Sequence, residues 1–265
     1  MMITSSANPQ IKAIRKLRDR KERQQSGLFY VEGLRIVGEA MEHGVKIQTL
    51  VAAPDLLSSD YGRGLLEQAR QKSVPVLEVS ADVFSNMALK EGPQGLAAVI
   101  YQNFTDLKQV RLGGRDLWVA LDAVADPGNL GTIMRTLDAV GGKGIILLDQ
   151  STDPYDPTAT RASMGALFSL ALVKTTLDVF AQWKLDKKIS LIGTSGAANS
   201  DFHYTTYPEH FVLLMGSERH GLLETHLRLC DLVVSIPMVG KSDSLNLAVS
   251  TAVVLYEVFN QRRDR

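Results

Sequence analysis

Two short turns carry the polar groups best suited to chemistry. Gly216-Ser217-Glu218 follows the apolar run Leu213–Met215, and Gly240-Lys241-Ser242-Asp243-Ser244-Leu245-Asn246 comes soon after the run Leu232–Ile236. An apolar strand running into a turn of Gly, Ser, Asn and one carboxylate is how an α/β protein sets polar groups against a ligand. A third turn, Asp122-Ala123-Val124-Ala125-Asp126-Pro127-Gly128-Asn129, reads as a strand end, a rigid turn and a helix start, with Asn129 suited to the N-cap. Six residues on, Arg135 is flanked by Ile133, Met134 and Leu137. An arginine on an inward-looking helix position needs an anion, either a ligand's or a structural carboxylate's. In Arg161-Ala162-Ser163-Met164-Gly165-Ala166 one arginine among small residues suggests close packing with the guanidinium reaching a phosphate. Gly193-Thr194-Ser195-Gly196 closes another strand, where open α/β sheets bind ligands.

Several chemistries lack their signatures. No G-x-G-x-x-G follows a strand, there is no phosphate-binding G-x-x-x-x-G-K-[ST] loop, and there is no G-x-S-x-G elbow. The five histidines, His43, His203, His210, His220 and His226, show no metal-ligand spacing and read as surface or cap residues. No metal site is expected. The single Cys230 excludes an internal disulfide or a multi-cysteine metal site, and reads as a small core residue.

These turns need elements to hold them. The 265 residues suffice for one large or two modest domains, and 45% hydrophobic with 22% charged residues is ordinary for a soluble globular chain. No apolar run approaches the roughly 20 residues that cross a bilayer, and the start MMITSSANPQIK has no apolar signal core. A cytoplasmic location is the default expectation. Net charge is zero, yet residues 1–35 carry eight Lys/Arg against three Asp/Glu. Within that stretch the spacing of Ile11, Ile14 and Leu17 predicts a helix over Pro9–Gln25, surrounded by Lys12, Arg15, Lys16, Arg18, Arg20, Lys21 and Arg23. Such a helix either follows a phosphate backbone or presents a solvated face.

Residues 27–101 alternate as short strands (28–31, 47–52, 74–79, 95–101) and helices (32–43, 60–72, 81–88), a small α/β unit. The polar stretch 102–115, with Gly113-Gly114, reads as a linker. A second alternating run occupies 116–265. Its strands are 117–121, 144–148, 170–173, 189–193, 211–215 and 232–236. Its helices are 129–140, 158–167, 176–185, 222–229 and 244–262. The strands are continuous apolar runs, as in a parallel sheet covered on both faces. The last helix is apolar nearly all round, from Leu245 and Leu247 to Val258 and Phe259, so it is buried on more than one side. Its second cover is another subunit, giving a homodimer, or its own domain.

Three blocks bring a family into view: DPGNLGTIMRTLDAVG (126–141), LLMGSERHGL (213–222) and IPMVGKSDSLNLAVSTAVVLYE (236–257). With RASMGA at 161–166, they resemble the SpoU (TrmH) family of RNA ribose methyltransferases, in the SPOUT superfamily. The amino-terminal ITSSANPQIKAIRKL…FYVEGLRIVGEAM is similar to the RNA-binding domain that often precedes that catalytic domain. The resemblance implies an α/β fold with a parallel sheet and a deep trefoil knot near its carboxyl end, although knots are rare. It implies three segments: 1–101 binding RNA substrate, a linker at 102–115, and a 116–265 methyltransferase domain.

It also implies S-adenosylmethionine as cofactor, a homodimer, and transfer of the methyl group to a ribose 2′-hydroxyl of structured RNA. Ribosomal RNA is the expected substrate, ahead of transfer RNA, because a separate amino-terminal domain suits a folded target. The family's polar set falls on Asn129, Arg135, Glu218, Ser244 and Asn246. Its cofactor contacts fall on Thr194, Gly216, Ile236 and Leu245. Lys12, Arg15, Lys16, Arg18 and Arg161 are the expected RNA contacts. Asn129 and Glu218 would orient Arg135 and the ribose. Arg219-His220 departs from the small residues common after the glutamate and adds charge beside the site. A non-catalytic RNA-binding protein and a dehydrogenase are the competing readings. The polar set argues against the first and the missing glycine fingerprint against the second.

Overall fold

The computed structural model describes residues 2–89 and 91–263. The chain begins with helices α1 (Pro9–Lys16) and α2 (Arg20–Ser26), strand β1 (Leu28–Glu32), α3 (Leu34–Glu42), β2 (Ile47–Ala52), α4 (Asp60–Gln71), β3 (Val76–Glu78), α5 (Ala81–Met87) and β4 (Leu96–Tyr101). It continues with β5 (Leu117–Asp122), α6 (Pro127–Ala139), β6 (Gly144–Leu148), α7 (Pro157–Ser163), β7 (Ala171–Thr175), α8 (Leu177–Lys187), β8 (Leu191–Thr194), β9 (Ser200–Asp201), β10 (Phe211–Met215), α9 (Glu224–Leu227), β11 (Leu232–Ser235) and α10 (Leu247–Arg263).

Two compact units result. The first holds residues 1–102 together with 155–168; the second holds 103–154 and 169–265. In the first, a four-stranded sheet runs in the order β1-β4-β2-β3, antiparallel except for β2 beside β3. The expected single helix over Pro9–Gln25 is two helices. Ile11, Ile14 and Leu17 are buried as the spacing required, but Asp19 starts a new helix by accepting from the Lys21 N–H at 2.8 Å. Arg23, expected on the solvent side, is 1% exposed. It donates to the carbonyls of Leu17 (3.0 Å) and Arg18 (2.8 Å), the open end of α1, and pairs with Asp156 at 3.4 Å. A charge buried this deeply requires such partners.

Asp156 belongs to the excursion 155–168, which carries α7. Pattern reading allots this helix to the second half of the chain, yet it packs with the first unit. Tyr155 and Phe168 pack at tilted angles against Phe29, with ring centroids 4.5 and 6.4 Å away. Gly165, at φ +100°, fits because a Cβ there would meet Glu39 Cγ at 2.8 Å.

In the second unit seven strands form an all-parallel sheet in the order β7-β6-β5-β10-β8-β11-β9. Trp118, Ala120, Ile146, Leu148, Val212 and Leu214 turn to one face, with Phe180 and Trp183 of α8. The alternating set Val119, Leu121, Ile145, Leu147 and Leu213 is also buried. Both faces are therefore covered, which explains the unbroken apolar runs. The stretch 102–115 is no loose linker. Thr105 N–H bonds to Leu172 O at 2.8 Å, and Leu107 and Val110 are buried in the sheet's core. The two-residue β9 pairs beside β11 at the sheet edge and has no apolar signal to announce it.

α10 packs against α6 and buries Leu247, Thr251, Val254, Leu255 and Val258. Its other side stays open, with Val249 49% and Tyr256 47% exposed. No helix among the described residues is long and apolar enough to cross a membrane.

Candidate active site at the ends of the parallel strands

The chain order inserts β10 between β5 and β8, so the carboxyl ends of β10, β8 and β11 lie side by side. Leu214 stands opposite Gly193, and Val234 opposite Thr194. In an open parallel sheet the crevice where strand order reverses is where ligands bind. Thr194, Gly216 and Ile236 therefore come from three adjacent strand ends. Thr194 Oγ1 lies 3.5 Å from Met215 Sδ.

Gly216 opens a tight turn. Ser217 and Gly221 bridge each other, Gly221 N–H donating to Ser217 O at 2.9 Å. A Cβ on Gly216 would run into the backbone of Gly221 and Leu222, so only glycine fits. The turn directs Glu218 to the head of α6, where its carboxylate accepts from Ala125 N–H (3.1 Å), Asp126 N–H (3.2 Å) and Asn129 Nδ2 (3.2 Å). Burial raises the Glu218 pKa, but these donors outweigh it and hold the carboxyl below its ordinary range.

The α6 N-cap is Asp126, not Asn129: Asp126 Oδ1 accepts from Asn129 N–H at 2.8 Å, and Pro127 is the first helical residue. Asn129 sits one turn in, with its side chain released for other work. Its Oδ1 accepts from Asn246 Nδ2 at 3.0 Å. Asn246 in turn caps α10, its Oδ1 accepting from Ala248 and Val249 at 2.9 and 3.3 Å. Glu218, Asn129 and Asn246 thus form one hydrogen-bonded chain that clamps three segments distant in sequence.

The other expected site residues stand outside this chain. Arg135 does not look inward. Six residues from Asn129 correspond to about 600° of helix rotation, which turns it to the exposed side, where it has no ion-pair or hydrogen-bond partner among the described residues. Neither Asn129 nor Glu218 bonds to it. Ser244 is exposed, its Oγ 3.3 Å from Asp243. Leu245 is exposed near Met238 and Val239 in sequence, an apolar rim on an otherwise polar loop.

In the first unit Lys12, Arg15 and Lys16 are exposed on α1. Arg18 instead donates to Met87 O and Ala88 O, both at 3.0 Å, the open end of α5. Arg161 lies on α7 in the first unit, exposed, 3.4 Å from Leu89 O.

Sequence reasoning missed one buried pair. His226 is 3% exposed; its Nδ1 accepts from Leu223 N–H at 3.1 Å and its Nε2 lies 3.4 Å from Asp122. It does cap α9, but from inside. Burial raises the Asp122 pKa, and Asp149 adds to this against the pull of His226. The signal was an acid at the end of an apolar strand, hidden among seven other turn residues. Cys230 is a packing residue: Gly193 leaves room for its sulfur, and burial pushes the thiol up to about 12, so it is no nucleophile. No cluster of three or more metal-ligating side chains exists among the described residues.

A parallel sheet with a glycine turn, a clamped carboxylate and an apolar-rimmed loop at adjacent strand ends defines an α/β enzyme with a small-molecule cofactor. Residues 116–256 match the SpoU rRNA methylase family, and residues 8–98 match the MRM3-like substrate binding domain. The chain belongs to the SpoU rRNA methylase family.

It is 34% identical to a 23S rRNA (uridine(2479)-2′-O)-methyltransferase of Streptomyces viridochromogenes, over 93% of this chain and 87% of that one. It is 29% identical to a 23S rRNA (guanosine(2553)-2′-O)-methyltransferase of Bacillus subtilis, over 97% and 98%. The crystal structure of an AdoMet-bound rRNA methyltransferase from Sinorhizobium meliloti superposes with a TM-score of 0.90 at 34% identity, covering 98% of both chains.

Proposed function

We propose that this chain is an S-adenosylmethionine-dependent methyltransferase acting on a ribose 2′-hydroxyl of ribosomal RNA. The observation that carries it is the Glu218–Asn129–Asn246 chain, which ties the turn after Gly216 to the head of α6 and to the loop that follows Ile236. Full-length relatives that modify 23S rRNA favour ribosomal over transfer RNA. The three strand ends suit the cofactor: Gly216 keeps its backbone open to close approach, and Ile236, Leu245 and the exposed Met238 offer an apolar wall.

When bound, S-adenosylmethionine supplies a methyl group already activated on a sulfonium, so the protein's task is alignment. Glu218 stays ionised and serves as an anchor; its lowered proton affinity makes it a weak base. Through Asn129 and Asn246 it fixes the loop bearing Ser244 and Leu245. Ser244, exposed and bonded only to the neighbouring Asp243 among the described residues, can turn its hydroxyl to the RNA. Arg135 offers a planar fork of N–H donors that matches a phosphate. Its role is to hold the phosphate beside the target ribose and lower the proton affinity of the hydroxyl.

A homodimer through α10 belongs to the same reading, supported by the exposed Val249 and Tyr256. So does the deep trefoil knot, supported by β10 inserted between β5 and β8 and by the return of the 236–246 loop to Asn129. A cytoplasmic location goes with a ribosomal substrate.

The test is transfer of labelled methyl from S-adenosylmethionine into unmodified 23S rRNA and, separately, unmodified transfer RNA, followed by alkaline digestion. Label in an alkali-resistant dinucleotide from 23S rRNA is expected. Label released in single nucleotides would mean base methylation and overturn the reading.

A further inference from the structure

The first unit contains a cavity of about 260 Å³ that the catalytic reading does not use. Its wall is shared by the β1–α3 region, the chain after α5, and the excursion carrying α7. Ile36, Leu89 and Met164 give it a mainly apolar lining, beside Gln94, Thr160 and Glu32, whose Oε2 accepts from Leu89 N–H at 2.6 Å; the exposed Arg35 and Arg161 line it too. Pockets for whole small-molecule ligands run to roughly 300–1,000 Å³, so this one suits a single ring system. An apolar slot with two guanidinium groups beside it matches a nucleotide: a flat base inside, an anionic backbone outside.

Two features show a built site. The α7 wall is fixed against the rest of the unit by the Arg23–Asp156 pair, the tilted ring contact of Tyr155 with Phe29 and the close approach of Gly165 to Glu39. Met164 is also held at φ +53°, a left-handed conformation that costs a side-chain-bearing residue about 1–2 kcal/mol. Glycine or asparagine would end α7 there at less cost. What methionine adds is a polarisable thioether on the pocket wall, which interacts well with aromatic rings.

We propose that this pocket takes up one unstacked base of the RNA substrate, with the flanking phosphates on Arg35 and Arg161. The inference rests on the RNA-methyltransferase reading and adds a recognition site within the first unit. Single-stranded bases splayed out of a fold are the usual targets of sequence-specific RNA readers.

The test uses the full-length protein with 13C-labelled Ile, Leu and Met methyl groups, titrated with the four nucleoside 5′-monophosphates. Saturable shifts at Ile36, Leu89 and Met164 are expected with at least one of them. Ile36→Trp, which fills the slot, and Arg35→Ala, an exposed change that spares folding, should each weaken binding to a 23S rRNA transcript by tenfold or more. S-adenosylmethionine affinity should be unchanged in both. If both variants bind the transcript as tightly as wild type, the pocket is not a base site, even where methyl transfer proceeds. Pocket-dependent binding of the transcript without any methyl transfer would uphold the pocket and overturn the methyltransferase reading instead.

Discussion

The two units handle charge in opposite ways. In the second, one carboxylate gathers three donors from the 125–129 turn, and the Glu218–Asn129–Asn246 chain ties three segments together in a fixed orientation. In the first, Lys12, Arg15, Lys16 and Arg35 stand exposed on helix surfaces, while Arg18 and Arg23 are spent on helix ends. A site that must align two reacting atoms is held rigid in advance. A surface that meets a polyanion needs charge density more than fixed geometry. Basic residues close together in sequence therefore split into structural and free ones, and only the structure sorts them.

The most damaging change to the rigid side should be Gly216→Ala. Its methyl group would meet backbone, which cannot yield. A loss of S-adenosylmethionine binding and about a thousandfold loss of turnover are expected, equivalent to about 4 kcal/mol. Calorimetry with cofactor and a methyl-transfer assay check both.

Glu218→Gln should come next, with about a hundredfold fall in kcat and little change in cofactor affinity. The anchor is also pH-dependent. Because the folded pKa lies below the unfolded one, its stabilisation is complete above the ordinary carboxylate range and disappears as the pH falls through the folded value. The wild type should lose activity along that acid limb, and the Gln variant should show a flat one.

Arg135→Lys tests an expected catalytic residue that stands outside the hydrogen-bonded chain. A bidentate phosphate grip predicts about a tenfold fall in kcat/KM; near-normal turnover would rule that grip out.

On the recognition side, two neighbours should separate cleanly. Arg15→Ala should weaken RNA binding and reduce the slope of log affinity against log salt by about one, at unchanged melting temperature. Arg18→Ala should cost about 1 kcal/mol of stability through the lost carbonyl bonds at α5.

The smallest effect is expected at Asp122. Burial raises its folded pKa, so its contribution favours folding below the unfolded value and is lost as the pH rises through the folded value. Asp122→Asn should remove that dependence and change neutral stability by less than about 1 kcal/mol, as thermal unfolding across pH would show.

What could be read in advance follows from the range of the physics. β6 and β10 fall where unbroken apolar runs put them, because burial on both faces leaves a local mark. The membership of Glu218, Asn129 and Asn246 in one site came from family resemblance; residues 117 positions apart leave no periodic trace of a contact. The break between α1 and α2 was visible as Asp19, yet the apolar spacing across it looked continuous. The inward turn of Arg23 depends on Asp156, and the packing of 103–115 depends on the core around Trp118. Arg135 was misjudged because flanking apolar residues say which face is buried only once the helix phase is known. Here Ile133, Met134 and Leu137 are buried while Arg135 is not.

The excursion 155–168 also sets a timetable for synthesis. Arg23 and Asp156 are separated by 133 positions, and a ribosome adding about 5–20 residues per second needs roughly 7–27 s to deliver one after the other. The nascent first unit therefore waits, its sheet already complete in sequence at Tyr101, for a piece made after β5, α6 and β6 of the second. Its last element arrives from the far side of another unit's beginning, so the amino-terminal unit cannot be finished first.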